Sequence, residues 1–240
     1  MADNPILEAD SIGKSFGDRR ILSSASLSAA PGQVVGILGR MGEGKSTLLK
    51  ICSGVTSTDT GWVKYKERIR NPAKLASLAP EGVYYLPEAG SLSGALTLRE
   101  HFELFRTRFK LDSFDDLIED FELGTFLGSS PSLMSTGERR RTELALVCYR
   151  RPECLLADEP FRDLDPIVGE RVGRVLKALA EGGCAIVLTG HEIRTLTPFL
   201  TSVVWLTSGT TYSLGNPSDA WKNDYFRKEY LGPSGERIYA

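Results

Sequence analysis

The 240-residue chain lacks several features that would each mark a particular class of protein. No apolar run approaches the roughly 18 residues of a membrane-spanning helix, because the longest apolar stretches, such as Val34–Leu38, are short. The chain also lacks an excess of basic residues, since 29 Lys and Arg stand against 31 Asp and Glu. This balance excludes the basic footprint that is typical of nucleic-acid binding, and we expect no nucleic-acid partner.

Cysteine is scarce as well. The four cysteines, Cys52, Cys148, Cys154 and Cys184, form no C-x-x-C pair. We therefore interpret them as reduced core residues rather than as disulfides or zinc ligands. Residues 1–5 lack the basic start and the apolar stretch of a signal peptide, so we expect the protein to stay in the compartment where it is made.

What the sequence does contain is an alternation of short apolar runs and helical patterns. Strands are predicted at residues 6–9, 21–27, 33–38, 62–66, 83–86, 154–157, 185–188 and 203–206. Helices are predicted at residues 45–52, 97–109, 112–123, 136–149, 168–180, 191–199 and 217–230. This order predicts an α/β fold with a mainly parallel sheet and helices on both faces. Three successive helical patterns between residues 89 and 150 predict a helical subdomain.

A glycine-rich turn between a predicted strand and a helix carries the most specific motif. It matches G-x-x-x-x-G-K-[ST] and consists of Gly39, Arg40, Met41, Gly42, Glu43, Gly44, Lys45 and Ser46. Glycines let several backbone N–H groups point at an anion, and the following helix adds its positive N-terminal end. Lys45 can reach phosphate oxygens, and Ser46 can supply a hydroxyl to Mg²⁺. The motif predicts a nucleoside triphosphate site and leaves kinase, GTPase and ATPase open.

A second chemical feature is the predicted strand 154–157, which ends in Asp158 and Glu159. Parallel sheets place ligands at the carboxyl ends of their strands, so both carboxylates are expected near the phosphates. One carboxylate can hold Mg²⁺, and the next can orient and deprotonate a water molecule. Acidic pairs at strand ends often only begin a loop, but the nearby phosphate motif favours the catalytic interpretation.

With these motifs in place, the sequence resembles the ATP-binding cassette (ABC) ATPases over nearly its whole length. Residues 133–141 look like the family signature, and residues 160–165 are similar to its D-loop. Residues 188–192 resemble the segment of the switch histidine, and residues 14–18 resemble the loop whose aromatic ring stacks on adenine. Together with the phosphate motif, these four segments make five features in the right order, and coincidence is therefore implausible.

The resemblance implies a P-loop NTPase fold in which helices flank a mainly parallel sheet. It adds an antiparallel β subdomain and an inserted helical subdomain. We accordingly expect one ABC ATPase domain over residues 1–240. Its nucleotide-binding core would comprise residues 1–88 and 151–240, and residues 89–150 would form the helical subdomain that carries the signature.

The resemblance also implies roles for individual residues. Phe16 would stack on adenine, Glu159 would be the general base, and His191 would sense the γ-phosphate. Phosphates and Mg²⁺ would be held by Lys45, Ser46, Thr47 and Asp158. Because two cassettes pair head to tail in this family, Ser135 and Gly137 would contact the γ-phosphate that the partner cassette binds.

Ordinary structural interpretations compete with some of these assignments. In the alternative without a nucleotide role, Phe16 is a core aromatic and His191 only begins a helix. We interpret His101 as a packing or surface residue, and the run of arginines at 139–141 as a solvated charged face.

Several residues depart from the family pattern. Glu88 stands where the family has a glutamine near Mg²⁺. It is therefore a candidate metal ligand or, as we favour, an exposed acid that meets a basic residue of a partner. Met41 and Glu43 are unusual in the phosphate motif, and Thr136 replaces a signature glycine. Arg162 is a candidate partner for Glu43 across a dimer. None of these changes removes a catalytic group, so we expect an active ATPase.

The resemblance favours the ATP-binding and ATP-hydrolysing subunit of an ABC transporter, with ATP and Mg²⁺ as its ligands. Its partners would be a second cassette and separate integral membrane subunits. Such a subunit would lie in the cytoplasm, on the inner face of the cell membrane. The alternative is a soluble ABC ATPase of an assembly complex, such as that of iron–sulfur cluster biogenesis.

Overall fold

The computed structural model describes residues 4–70, 74–191 and 193–231. The strands are β1 (Leu7–Phe16), β2 (Arg19–Ala29), β3 (Val34–Leu38), β4 (Thr60–Tyr65), β5 (Arg68–Ile69), β6 (Val83–Leu86), β7 (Cys154–Ala157), β8 (Ala185–Gly190), β9 (Ser202–Thr207) and β10 (Thr210–Gly215). The helices are α1 (Lys45–Cys52), α2 (Leu75–Leu78), α3 (Leu98–Phe109), α4 (Asp115–Asp120), α5 (Thr136–Arg150), α6 (Pro166–Glu181), α7 (Ile193–Leu196), α8 (Pro217–Ala220) and α9 (Asp224–Phe226). In these ranges no helix combines the length and the apolar character needed to cross a membrane.

The strands form one sheet in the order β5-β4-β1-β2-β10-β9-β3-β8-β7-β6. The half formed by β9, β3, β8, β7 and β6 is parallel, as predicted for the core: β3 pairs with β8 and β9, and β7 pairs with β8 and β6. All residues of β3 and β8 are buried, as expected of parallel strands covered on both faces. The carboxyl ends of β3, β7 and β8 therefore meet at one edge, where the phosphate motif, the acidic pair and His191 follow.

The remaining part of the sheet is antiparallel, apart from one parallel bridge between Thr210 of β10 and Ser24 of β2. β1 pairs with β2 and with β4, and β9 returns as β10 through a hairpin at Ser208 and Gly209. Burial alternates along much of β2, from Leu22 to Ala29, which is the pattern of a sheet with one covered face. These strands correspond to the antiparallel β subdomain that the family resemblance implies.

Two apolar clusters hold helices on the two faces of the sheet. Val35 of β3 packs with Leu48 of α1 in one cluster, whereas Val34 packs with Leu176 of α6 in the other. Successive strand residues point to opposite faces, so a single strand supplies both cores. Burial of one such side chain stabilises the fold by about 1.5–3 kcal/mol. The four cysteines are free, and all but the half-buried Cys148 are buried, which agrees with the interpretation as core residues.

Helices α3, α4 and α5 pack around a third cluster. Phe102 of α3 lies 5.1 Å from the ring of Phe114 at the start of α4, and Tyr149 of α5 completes the aromatic group. Helix α3 begins with the predicted capping box, in which the side chains of Thr97 and Glu100 bind each other's backbone N–H groups. The predicted helix at 112–123 is shorter than expected, because α4 covers only six residues.

The prediction of one helix over residues 217–230 is wrong. Helix α8 ends at Ala220, and α9 begins anew after Asn223, whose side chain accepts a hydrogen bond from the N–H of Phe226. A π-helical turn then covers Arg227–Leu231. An asparagine cap inside an otherwise helical pattern starts a new helix instead of continuing the old one, and here it turns Phe226 into the core.

Candidate functional site

The phosphate loop, residues 39–46, joins β3 to α1. Gly42 and Gly44 have φ values of 83° and 101°, a backbone region that glycine adopts without strain. A Cβ atom on Gly44 would lie 2.9 Å from side-chain atoms of Ile21 and Leu22, so this position needs glycine for space as well. Gly44 is the N-cap of α1 without a side-chain cap, and the first N–H groups of the helix are therefore available to an anion.

Lys45 lies across this loop. Its Nζ donates to the carbonyl oxygens of Gly39 at 2.8 Å and Arg40 at 3.1 Å, and the residue is only 6% exposed. Burial lowers the pKa of Lys45, while the charges of Glu159 and Asp158 oppose that shift. The ammonium group of Lys45 is partly removed from water inside an anion-binding loop. A phosphate ligand would compensate its positive charge.

Asp158 forms a buried oxygen cluster with two hydroxyl groups. Its Oδ1 accepts from Ser46 at 2.9 Å and from Thr189 at 2.6 Å, and Asp158 is 1% exposed. Burial and the charge of Asp158 raise the pKa of the neighbouring Tyr85. A carboxylate and a serine hydroxyl at the phosphate loop are suitable oxygen ligands for Mg²⁺, directly or through water. The sequence motifs assign no role to Thr189. A polar residue within the apolar run of β8 is the signal that could have indicated one, because a buried hydroxyl needs a hydrogen-bond partner.

Glu159 and His191, which are 32 positions apart, meet at the edge of the sheet. The His191 Nδ1 lies 3.0 Å from the Glu159 Oε2, and the Glu159 N–H donates to the Thr189 hydroxyl at 2.9 Å. Glu159 has a positive φ of 47°, which is uncommon for a residue other than glycine and turns the chain sharply after β7. Glu192, which belonged to the same motif, lies outside the described residues.

A cavity of about 380 Å³, here named the phosphate-loop cavity, brings most of these groups together. Its lining includes Met41, Gly42, Gly44, Lys45, Ser46, Thr47, Glu88, Glu159, Arg162 and His191. Glu88 pairs with Arg162 of the same chain, a partner that the sequence did not reveal. Glu43 accepts a hydrogen bond from the N–H of Ser208 at 2.6 Å. Both members of the suggested pair between Glu43 and Arg162 thus have partners within one chain.

Phe16 lies at the end of β1 and is 54% exposed, which excludes the interpretation as a core aromatic. The Lys14 Nζ stands 5.5 Å from the centre of its ring. Asp59 accepts hydrogen bonds from the Lys14 Nζ and the Ser15 N–H, both at 2.7 Å, and these two contacts lower the pKa of Asp59. Lys14, which Asp59 holds in place, therefore covers one side of the exposed Phe16 ring.

Ser135 and Gly137 do not line the phosphate-loop cavity of their own chain. Ser135 is the N-cap of α5 and forms a second capping box, with Glu138. A Cβ atom on Gly137 would meet only Val168, at 3.5 Å, which is an ordinary contact. The beginning of α5 thus presents a small residue and a helix N-terminus beside Leu133, which is 82% exposed.

The interpretation of residues 139–141 as a solvated charged face is wrong. Arg140 is 6% exposed and pairs with Glu143 at 2.9 Å, because helix periodicity turns this position toward the loop after β6. The guanidinium of Arg139 donates to the Met134 carbonyl oxygen at 3.0 Å, and that of Arg141 donates to Glu122 at 2.9 Å. The interpretation of His101 as a packing residue is confirmed, since it is buried and bonded to the Ser93 N–H.

Comparison with known proteins agrees with this geometry. The family model described as ABC transporter matches residues 22–162. A probable ABC transporter ATP-binding protein of Azorhizobium caulinodans is 30% identical, covering 94% of this chain and 83% of its own length. The lipopolysaccharide export system ATP-binding protein LptB of Haemophilus influenzae is 27% identical, covering 95% of this chain and 97% of its own.

Solved structures show the same fold. The ATP-binding subunit of an ABC transporter matches with a TM-score of 0.81 at 24% identity, over 94% of this chain and 96% of its own. A dimeric bacterial ABC transporter cassette matches with a TM-score of 0.77 at 24% identity, over 87% and 98% of the two chains. The chain belongs to the ABC transporter family. It is an ATPase subunit of a transporter. The alternative, an ATPase of an assembly complex, is not supported by these relatives.

Proposed function

We propose that the phosphate-loop cavity binds MgATP and hydrolyses it to drive a transporter. The observation that carries this proposal is the contact between Glu159 and His191 in the cavity that also holds Lys45. A carboxylate and an imidazole then stand beside the position where the phosphate loop would hold the terminal phosphate. This arrangement can activate water and at the same time stabilise the charge that develops.

The residues have separate tasks in this proposal. Glu159 accepts the proton of the attacking water, and His191 orients the Glu159 carboxylate and meets the terminal phosphate. Lys45 and the N–H groups at the start of α1, including those of Ser46 and Thr47, bind the phosphate chain, while Phe16 stacks on the adenine. The Ser46 hydroxyl and the Asp158 carboxylate would hold Mg²⁺, which when bound neutralises phosphate oxygens and favours transfer to water.

The proposed partners are a second cassette and separate membrane subunits. Ser135 and Gly137 lie at an exposed helix N-terminus outside their own cavity, and a head-to-tail second cassette would bring them to its ATP. A relative of the same fold is dimeric, which supports this arrangement. Separate membrane subunits would then respond to the opening and closing of the cassette pair. The cassettes would lie in the cytoplasm, at the inner face of the membrane.

Replacement of Glu159 by Gln tests the assigned base. We expect ATP binding to survive and turnover to fall by at least about 10²-fold, the scale of a lost general base. Glu170→Gln, on the exposed side of α6, is the matched control and should leave both unchanged. Binding is measured by calorimetry and turnover by phosphate release. Near-normal turnover of the Glu159 variant would reject the assignment.

A further inference from the structure

Glu88 and Arg162 form an ion pair at the solvent-facing edge of the phosphate-loop cavity. Glu88 follows β6 and Arg162 lies in the loop after β7. Because these two strands are parallel neighbours, their carboxyl ends bring the two side chains together. Both side chains line the same cavity as Lys45, Ser46 and Glu159. The pair therefore lies in the cavity that is proposed to hold the triphosphate.

The ion pair can open without disturbing the fold. The side chains of Arg162 and Glu88 are 46% and 36% exposed, and exposed ion pairs contribute little to stability. The backbones are held independently: the Arg162 N–H donates to the Glu159 carbonyl oxygen at 3.1 Å, and the Glu88 carbonyl oxygen accepts from Arg140 at 3.5 Å. The two side chains are thus free to exchange partners while their loops stay in place.

Charge determines which partner the guanidinium prefers. The cavity is lined by the basic side chains of Arg19, Lys45 and Arg162 and by the acidic side chains of Glu88 and Glu159. A triphosphate brings several negative charges into this space and repels Glu88. It attracts Arg162, whose planar fork can bind two phosphate oxygens at once, and the triphosphate carries more negative charge than one carboxylate.

We propose that Arg162 is a further ATP-binding residue, which Glu88 holds before nucleotide binds and which moves to the terminal phosphate when ATP enters. The inference rests on the proposed ATP site and adds a residue to it. Glu88 and the terminal phosphate then compete for one guanidinium group. The acid at position 88 consequently tunes ATP affinity through a residue of its own chain, and neither a metal nor a partner is needed for that effect.

The test is a double-mutant cycle read out as nucleotide affinity, in the Glu159→Gln background that removes hydrolysis. We expect Arg162→Ala to weaken MgATP binding roughly tenfold, the scale of a lost charged hydrogen bond, and to leave MgADP binding unchanged. Arg162→Lys should retain part of the affinity. Glu88→Gln should strengthen MgATP binding more when Arg162 is present than in the Arg162→Ala variant, where it removes only the repulsion between Glu88 and the triphosphate.

Three outcomes overturn the proposal. Equal losses for MgATP and MgADP would mean that Arg162 acts on the loop and not on the terminal phosphate. Weaker MgATP binding by Glu88→Gln, with or without Arg162, would make Glu88 a metal ligand. A similar effect of Glu122→Gln or Arg171→Ala, which break a comparably exposed pair that does not line the phosphate-loop cavity, would make the effect nonspecific. Failure of the ATP site itself is recognised separately, because Lys45→Ala would then leave nucleotide affinity unchanged.

Discussion

At the scale of single residues, the exposed ring of Phe16 is the group proposed to bind the adenine base rather than the phosphates. Asp59 holds Lys14 against one side of the ring, which leaves the other side available for a flat ligand. An exposed aromatic side chain held in this way loses little conformational freedom when a base stacks on it. The contact with the base can therefore be removed without changing the contacts with phosphate.

Replacement of Phe16 by Ala should weaken ATP binding and spare inorganic triphosphate. Base stacking on an aromatic ring contributes about 1–3 kcal/mol, so the affinity for ATP should fall by about fivefold or more. Asp59→Asn should give a smaller loss of the same kind. Both affinities are measured by competition with a fluorescent nucleotide. A parallel loss of triphosphate affinity would show that Phe16 acts on the phosphate loop instead.

At the scale of elements, a buried polar network connects the loop after β6 to helix α5. The Oε1 of Glu143 accepts from the Ser91 N–H at 2.6 Å, and its Oε2 accepts from Arg140 at 2.9 Å. Burial raises the pKa of Glu143, and the charge of Arg140 opposes that shift. Breaking one partner of such a network leaves a buried charge uncompensated, so the loop and the helix are expected to move together.

Gly90→Ala should destabilise the fold by about 1–3 kcal/mol, the scale of a strained backbone position. Gly90 has a φ of 87°, and a Cβ atom there would lie 2.5 Å from the Glu143 Oε1, which the network holds in place. Gly94→Ala in the same loop is the control, because a Cβ atom there meets nothing within 4 Å. Urea unfolding measures both. Equal free energies of unfolding for the two variants would contradict the network.

The capping box of α3 predicts a pH dependence. The N–H and then the hydroxyl of Thr97 lower the pKa of Glu100. Because the folded-state pKa is lowered, the stabilisation is complete above the ordinary glutamate value of about 4.3 and is lost as the pH falls through the folded-state value. The advantage of the wild type over Glu100→Gln in urea unfolding should therefore shrink on acidification. A constant difference down to acid unfolding would exclude this contribution.

Elements and motifs were predictable from the sequence to different degrees. The strand at Cys154–Ala157 and the helix at Lys45–Cys52 have strong apolar patterns, and the structure contains both within the same bounds. The partner of Arg162 was not predictable, because it depends on which strand ends become neighbours in the sheet. The break at Asn223 is not visible in the helical pattern, because the side chain of Asn223 caps α9 without changing the apolar spacing around it. Local signals thus specify elements, whereas sheet order specifies the site.

At the scale of the whole molecule, the fold separates the two groups that are proposed to bind one triphosphate. The phosphate loop lies at the edge of the parallel sheet, while Ser135 and Gly137 stand at the start of α5, outside the phosphate-loop cavity. In the proposed head-to-tail pair, each complete site would take its phosphate loop from one chain and the beginning of α5 from the other. A closed two-fold arrangement of this kind makes two equal sites.

Mixing two inactive variants tests that arrangement directly. Lys45→Ala removes the phosphate contact in one variant. Gly137→Asp places a negative charge at the start of α5 in the other, and the single contact of a Cβ atom there, with Val168 at 3.5 Å, predicts that this second variant folds normally.

In a mixed head-to-tail dimer, one site carries both defects and the other carries none. ATP hydrolysis by the mixture should therefore rise well above the average of the two pure variants, as measured by phosphate release at constant total protein. Two variants with the same defect, Lys45→Ala and Lys45→Met, are the matched control and should show no gain when mixed. If the site were complete within one chain, the first mixture would give only the average, and the assignment of Ser135 and Gly137 to the partner's ATP would be wrong.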